Sequence, residues 1–135
     1  MAKFVITNPE ITIGGVDLSD HIASVTLTET YAEVATTAFG DTAVTRIAGL
    51  GDHSLSLDFH EDFAASEVYA TISPLIGSTT AVTVKPVNET TAATNPQFSA
   101  TVLVTEWPLL SGAVGDLASA SVTWPVSGAI TTATS

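Results

Sequence analysis

Alternation of apolar and polar residues is clearest over residues 52–60. Leu55, Leu57 and Phe59 fall on one side, as in a strand with one buried face. A threonine-rich alternation predicts a further strand over 22–34, and a shorter one predicts a strand around 82–84. Two longer strands, interpreted as a hairpin-like pair, are predicted near the C terminus. Their inward residues are Phe98, Ala100, Val102, Val104, Ala118, Ala120, Val122 and Trp124.

A helical period occurs once, over residues 64–76. Its apolar stripe consists of Val68, Ile72, Leu75 and Ile76, and its cap candidates are Asp62, Ser66 and Glu67. Pro74 predicts a kink or an early end, because its ring clashes with the carbonyl four residues back. The pattern as a whole predicts a mainly β fold, a two-sheet β-sandwich or barrel with one α-helix.

Length and composition favour one domain over 1–135, long enough to bury a core without disulfides. Within it we expect an N-terminal arm at 1–15 and a flexible C-terminal tail at 129–135. The apolar run after Lys3 is too short for a signal peptide or a membrane span, so the sequence predicts no membrane partner and a protein soluble in the cytoplasm that makes it.

A long excursion separates two of the predicted strands at residues 36–51. It carries an apolar tip, although connections in small domains usually take about 2 to 6 residues. One interpretation is a loop made for contact with another copy of the chain; the other is a hairpin folded back on its own core. On the first interpretation the interface candidates are Phe39, Gly40, Asp41, Arg46, Ile47 and Leu50. Arg46 would then pair with a carboxylate of the other copy.

A net charge of -11, with only three basic residues, argues against a surface that grips phosphates. The acidity either serves solubility or repels DNA that passes by, over about 8 Å at physiological salt.

Candidate chemistry is sparse. His53, Asp58, His60, Glu61 and Asp62 are the only cluster of metal or acid/base type, but a strand would align at most two of them. A solvated turn with Asp62 as a helix cap is the simpler interpretation. No phosphate loop, nucleophile elbow or thiol is present in the sequence, so we predict no enzyme, no metal and no cofactor.

Three blocks in a particular order carry a resemblance to a known family. They are GVDLSDHIASVTL at 15–27, TTAFGDTAVTRIAGLGDHSLSLDFHEDF at 36–63 and NPQFSATVLVTEWPLLSGAVGDLASASVTWPVSG at 95–128. Together they resemble the major tail, or tail tube, protein of long non-contractile-tailed bacteriophages (siphophage type), especially those of actinobacterial hosts. No single motif among them is a chemical fingerprint.

The resemblance implies a sandwich of the phage tail tube type with a long inter-subunit loop at 36–51. It implies homohexameric rings stacked into a tube in the virion tail, with tape measure, tail terminator and tail tip proteins as partners and transiting DNA that is not specifically bound. Candidates for the channel surface lie opposite apolar strand positions. They are Thr26, Thr28, Thr30, Ser54, Ser56 and Asp58. For Asp58, an outward position or a role in capping a neighbouring backbone stays open.

A different class of protein fits the same composition. A monomeric β-sandwich, such as a virion decoration or carbohydrate-binding module, would present exposed aromatic side chains to its ligand. Trp107 and Trp124 instead stand in strand patterns beside proline, which is typical of core or corner residues.

Overall fold

The alternating segments form antiparallel strands in the computed structural model, which describes residues 3–64 and 67–135. The chain is mainly β, as the sequence predicts, and short helical segments cover few residues. The strands are β1 (Glu10–Ile13), β2 (Val16–Asp17), β3 (Ile22–Thr28), β4 (Tyr31–Ala35), β5 (Arg46–Gly51), β6 (Ser54–His60), β7 (Thr79–Lys85), β8 (Gln97–Leu103), β9 (Ser119–Pro125) and β10 (Thr131–Ala133). The helix α1 spans Val68–Ile72, and single 3-10 turns cover Ser19–His21 and Ser73–Leu75.

Two sheets enclose the core. The larger has the order β10-β8-β7-β1-β2 and the smaller the order β3-β6-β9. Alternation places one apolar face of each sheet inward, and α1 adds its two buried residues to the same cluster. The largest fully buried side chains are Trp124, Phe59, Ile11, Ile13, Leu18, Leu55, Leu57 and Ile72.

The predicted strand over 22–34 is two strands. β3 belongs to the three-stranded sheet, whereas β4 pairs only with β5 in a sheet of its own. The break falls at Glu29 and Thr30, where the Thr30 amide donates to the ring of His53 instead of to a neighbouring strand. A side chain therefore ends the ladder at a point that alternation alone does not reveal.

The predicted hairpin-like pairing of the two C-terminal strands is wrong. β8 lies between β7 and β10 in the larger sheet, while β9 pairs with β6 in the smaller one. Both strands turn an apolar face to the core, so they lie on opposite sides of it. An isolated bridge between Val102 and Val126 joins the two sheets near the end of β9.

The helix is shorter than the predicted 64–76. α1 gives way to a 3-10 turn that contains Pro74, whose ring is incompatible with a continued α-helical ladder. The Asp62 side chain accepts a hydrogen bond from the Ala64 amide (2.9 Å), four residues before the helix begins, so it does not cap α1. The cap candidate Ser66 lies outside the described residues.

Both ends of the chain contribute strands. β1 lies inside the segment predicted as an arm, and its Ile11 and Ile13 are fully buried. In the segment predicted to be flexible, β10 pairs with the edge of β8, because that edge has free backbone groups that a short extended segment can satisfy. Within the part of the chain that the structure describes, no helix has the length and apolar character to cross a membrane.

Candidate assembly surfaces

The β4–β5 hairpin stands apart from the sandwich. Of the two interpretations that the sequence left open, one was a hairpin folded back on its own core. The segment is a hairpin, but its residues do not belong to the core. Its apolar side chains face solvent on both sides. They are Tyr31, Val34, Phe39, Val44, Ile47 and Leu50, with Leu50 at 88% exposure. A folded chain rarely leaves so much contiguous apolar surface bare unless another molecule covers it.

The tip of the hairpin is an ordered turn. The Asp41 amide donates to the Ala38 carbonyl (3.2 Å), and the Ala38 amide donates to the Asp41 carboxylate (2.7 Å). Gly40 takes a φ of 92° within this turn, a left-handed value that favours glycine. Phe39, between them, is fully exposed. Below the turn, Thr36 and Thr45 close the ladder with an amide-to-carbonyl bond (2.8 Å) and a hydroxyl pair (2.7 Å).

His53 fixes the base of the hairpin. It is buried, its Nδ1 accepts the Thr30 amide (3.0 Å), and Tyr31 packs edge-on against its ring at 5.3 Å. A Cβ added at Gly51 would lie 2.8 Å from this ring, so any larger residue at position 51 would force the His53 side chain to move. The sequence placed His53 in a candidate metal cluster, whereas its contacts are with Thr30 and Tyr31 at the base of the hairpin.

Arg46 makes a salt bridge within its own chain, while its pairing with a carboxylate of another copy stays a prediction. The Arg46 guanidinium pairs with Glu33 on the facing strand. The register places Ala35 opposite Arg46 and Glu33 opposite Ala48, so the two charges are diagonal neighbours on one face. Both side chains are more than half exposed, and such a pair stabilises by about 0–1 kcal/mol.

The interface candidates divide into two groups. Phe39, Gly40 and Asp41 form the tip, whereas Arg46, Ile47 and Leu50 lie along β5. Arg46 and Ile47 are neighbours on β5 and point to opposite faces, with Ile47 opposite Val34, while Leu50 lies within a register shift of the pairing. One partner surface therefore cannot cover all six by touching a single face.

Small hydroxyl residues dominate the outer face of the three-stranded sheet. Thr26 lies opposite Ser56, and Thr28 opposite Ser54, in the β3–β6 register. Across the β6–β9 register the Ser56 hydroxyl meets that of Thr123 at 3.1 Å. Asp58 is exposed on this same face, and its position in the channel stays a prediction. Five of the six channel candidates thus share one surface, and the sixth, Thr30, lies just beyond β3.

An apolar groove opens where the arm, β3 and the larger sheet meet. It encloses about 300 Å³. Its lining is mostly apolar and includes Phe4, Ile6, Val25, Leu27, Val84, Phe98 and Ile130, together with Glu29, Lys85 and Thr132. Phe4 is 60% exposed, so the groove is open to solvent on the side of the arm. Lys85, which lines the groove, lies 3.6 Å from Glu10, which does not.

Four side chains meet near the start of α1. The ring of His21 bonds the carboxylates of Asp20 and Asp62 (both 2.9 Å), and Glu67 lies 3.5 Å away. His21, Asp62 and Glu67 are close enough to hold a metal ion, but they are partly exposed and already satisfied by one another. The arrangement differs from the predicted cluster, since the key residue is His21, a residue distant in sequence.

The same contacts shift two pKa values. Partial burial acts to lower the pKa of His21, but the hydrogen bonds to Asp20 and Asp62 and the charges of Asp20 and Glu67 outweigh it, so the pKa is raised. The pKa of Asp62 is lowered, first by the hydrogen bond from the Ala64 amide and then by that from His21.

Comparison with known proteins comes from structure alone. No protein-family model and no curated protein matches the sequence. Three solved structures contain chains of similar fold. "Virion of native gene transfer agent (GTA) particle" aligns with a TM-score of 0.70 and 13% identity, covering 93% of this chain and 95% of that one.

The second is "Tail of empty GTA particle computed with helical refinement, C6 symmetry", with a TM-score of 0.59, 15% identity and coverage of 82% and 81%. The third, "Cryo-EM structure of the anti-feeding prophage (AFP) baseplate, 6-fold symmetrised", has a TM-score of 0.65, 10% identity and coverage of 98% and 97%. The chain thus has a fold found in phage-tail-like particles, which confirms the fold type that the sequence resemblance implied.

Proposed function

We propose that this chain is a structural virion protein that assembles into homohexameric rings, stacked into the tail tube through which viral DNA is ejected. The observation that carries the proposal is the hairpin: it is held in place by hydrogen bonds, yet its apolar side chains lie outside the chain's own core. The similar fold in a GTA tail refined with C6 symmetry supports sixfold rings.

Ring closure would use strand edges. β3 is at one edge of the three-stranded sheet, and its outer side pairs with no strand among the described residues. A free edge is a template for pairing with another chain. If the three-stranded sheet of each copy pairs with that of its neighbour, the sheets of the ring form one continuous barrel. The outer face of this barrel is the apolar face that each sheet turns to the core of its own chain.

The hydroxyl-rich face would then line the channel. Thr26, Thr28, Ser54, Ser56 and Asp58 present hydroxyls and one carboxylate, with Thr30 at the margin. None of the three basic residues lies on β3, β6 or β9. DNA carries about one negative charge per 1.7 Å of helix axis, so such a wall offers no counterion-releasing contact that would hold it.

The remaining roles follow from that position in the tail. The tube would contact a tape measure protein inside, a terminator at one end and tip proteins at the other, after synthesis in the host cytoplasm. It performs no catalysis on this proposal, because its surfaces are devoted to contact and passage.

A monomeric binding module is the competing class. Such a module stacks exposed aromatic rings on its ligand, and the two tryptophans cannot serve in this way, because Trp124 is fully buried and Trp107 nearly so. Trp124 also donates its indole N–H to the Glu106 carbonyl (2.9 Å), which fixes it in the core.

Electron microscopy and light scattering of the purified chain over a range of concentrations test the proposal. We expect sixfold rings or tubes above a threshold concentration. A monodisperse monomer at every concentration, with or without other tail proteins, would contradict self-assembly and favour the module.

A further inference from the structure

We propose that the hairpin tip of one copy inserts Phe39 into the apolar groove of a second copy. The inference rests on the self-assembly proposed above and identifies the two surfaces that meet. It accounts for two features that a single chain leaves unused: a fully exposed aromatic side chain on an ordered turn, and an open groove with an apolar lining.

The groove has the size and chemistry for an aromatic side chain. Its volume of about 300 Å³ compares with roughly 150 Å³ for an apolar cavity that binds benzene. Phe4, Phe98 and Leu27 contribute aromatic and aliphatic lining, so an entering phenyl ring exchanges water for apolar contact. The space left over suits the small residues beside Phe39, which are Ala38 and Gly40.

The turn at the hairpin tip is already ordered in the single chain. Paired bonds between Ala38 and Asp41 hold the turn before any partner arrives. Binding therefore costs little additional backbone ordering, which is the usual advantage of a preorganised loop.

Charge favours this pairing over others. All three basic residues of the chain belong to these two surfaces or their flanks. The hairpin contains Glu33, Asp41 and Arg46, a net charge of -1, and the groove with its flanks contains Lys3, Glu10, Glu29 and Lys85, a net charge of zero. The other ten acidic residues lie outside these two surfaces, in parts of the chain that contain no lysine or arginine. Two copies at -11 can approach most closely where the local net charge is low, and these two surfaces are also apolar.

The hairpin cannot reach the groove of its own chain. The groove borders the base of the hairpin, since Leu27 and Glu29 line it. At a strand rise of about 3.3 Å per residue, the tip lies roughly 25 Å beyond that base. Tip and groove are different patches, so their contact is head-to-tail, and repeated contacts of this kind either close into a ring or continue as a stack.

Two pairs of variants test the contact. Phe39→Ala removes the inserted ring, and Phe4→Asp places a charge in the groove. Their matched controls are Val114→Ala, an equally exposed side chain outside both surfaces, and Val5→Asp, the 81% exposed neighbour of Phe4 that does not line the groove. We expect each test variant to raise the threshold concentration for assembly at least about tenfold, with no such rise in the controls. Circular dichroism melting checks that all four remain folded.

Cross-linking tests the same contact without removing Phe39. The chain has no cysteine, so Ala38→Cys and Thr132→Cys can be made as two separate proteins and mixed under oxidising conditions. We expect a mixed dimer joining the tip to the groove rim, and far less product when Val114→Cys replaces Thr132→Cys. Equal yields from both mixtures would overturn the inference.

The failures are distinguishable. If the unchanged chain never assembles and no mixed dimer forms, the proposed function fails and the contact with it. If the chain assembles but Phe39→Ala and Phe4→Asp assemble at the unchanged threshold, only the pairing of tip and groove is wrong.

Discussion

Glu61 is the least satisfied ionisable residue in the described chain. Both oxygens of its carboxyl group are buried without a hydrogen-bond partner, and burial raises its pKa. A raised pKa means that the folded chain binds this proton more tightly than the unfolded chain does. Folding stability therefore declines as the pH rises through the folded-state pKa.

Replacing this carboxyl group should stabilise the monomer. We expect Glu61→Gln to raise the free energy of unfolding at pH 7 by roughly 1 kcal/mol, because an unpartnered charge no longer has to be buried. The gain should shrink toward pH 4, where the native side chain is protonated. Urea melts at both pH values measure it, with the exposed Glu29 changed to glutamine as the control. An equal gain at both pH values would show that charge is not the cause.

His21 and Asp62 should stabilise the fold over a limited pH range. The pKa of His21 is raised, so its contribution is complete below the unfolded value of about 6.5 and is lost as the pH rises through the folded value. The pKa of Asp62 is lowered, so its contribution is present above about 3.8 and is lost as the pH falls through the folded value. The two contributions overlap at about pH 5.

The variant His21→Gln isolates this contact. We expect the difference in melting temperature between native chain and variant to be largest near pH 5 and to diminish by pH 8. Asp116→Asn, in an exposed loop, supplies a control for general charge effects. A difference that stays constant from pH 5 to pH 8 would mean that His21 acts through packing alone.

At the scale of the element, the hairpin tip should be dispensable for folding. Replacing residues 36–45 by Asn-Gly preserves the Ala35–Arg46 register with a turn that suits two-residue hairpins. All ten residues removed are exposed, so we expect the melting temperature to change by only a few degrees. Assembly should be lost, as scattering and microscopy would show. Tubes formed by the shortened chain would contradict a role for the tip between copies.

Alternation predicted the strands because it is a local property of the chain. In β6 the buried residues Leu55, Leu57 and Phe59 are those that the period of two selects. The exposed tip was also visible, because Phe39 breaks the period within a segment too long for a simple connection. Both inferences needed only neighbouring residues.

Partners across the fold were not predictable in this way. An inward face says that a strand meets the core but not from which side, and so β8 and β9 were placed together although they belong to different sheets. The Arg46–Glu33 pair depends on the hairpin register, and the His21–Asp62 contact joins residues 41 positions apart. Single positions carry no signal of such pairings.

At the scale of the whole molecule, the proposed channel wall can be probed by reversing its charge. Lysine at Asp58 and at Thr28 would place two cations on the hydroxyl-rich face. If this face meets DNA in an assembled tail, ejection by a reconstituted particle should slow, and most at low salt, where the screening length exceeds about 8 Å. Ejection kinetics measured across salt concentrations give the answer.

The matched control for these variants carries a lysine on another surface. Lysine at Asp116 adds the same kind of charge in an exposed loop outside β3, β6 and β9. If the channel variants eject DNA at the unchanged rate at every salt concentration, this face does not meet DNA, and the acidity of the chain serves solubility instead.

The uneven placement of positive charge also bears on how fast, and how accurately, copies find each other. Over most of the chain the charged residues are all acidic, so we expect random encounters between copies to be brief, because like charges repel. If the tip binds the groove, approaches between these two surfaces of low net charge should last longer. Added salt should therefore shorten the lag before assembly while increasing the share of malformed particles, since it removes the repulsion that rejects wrong encounters.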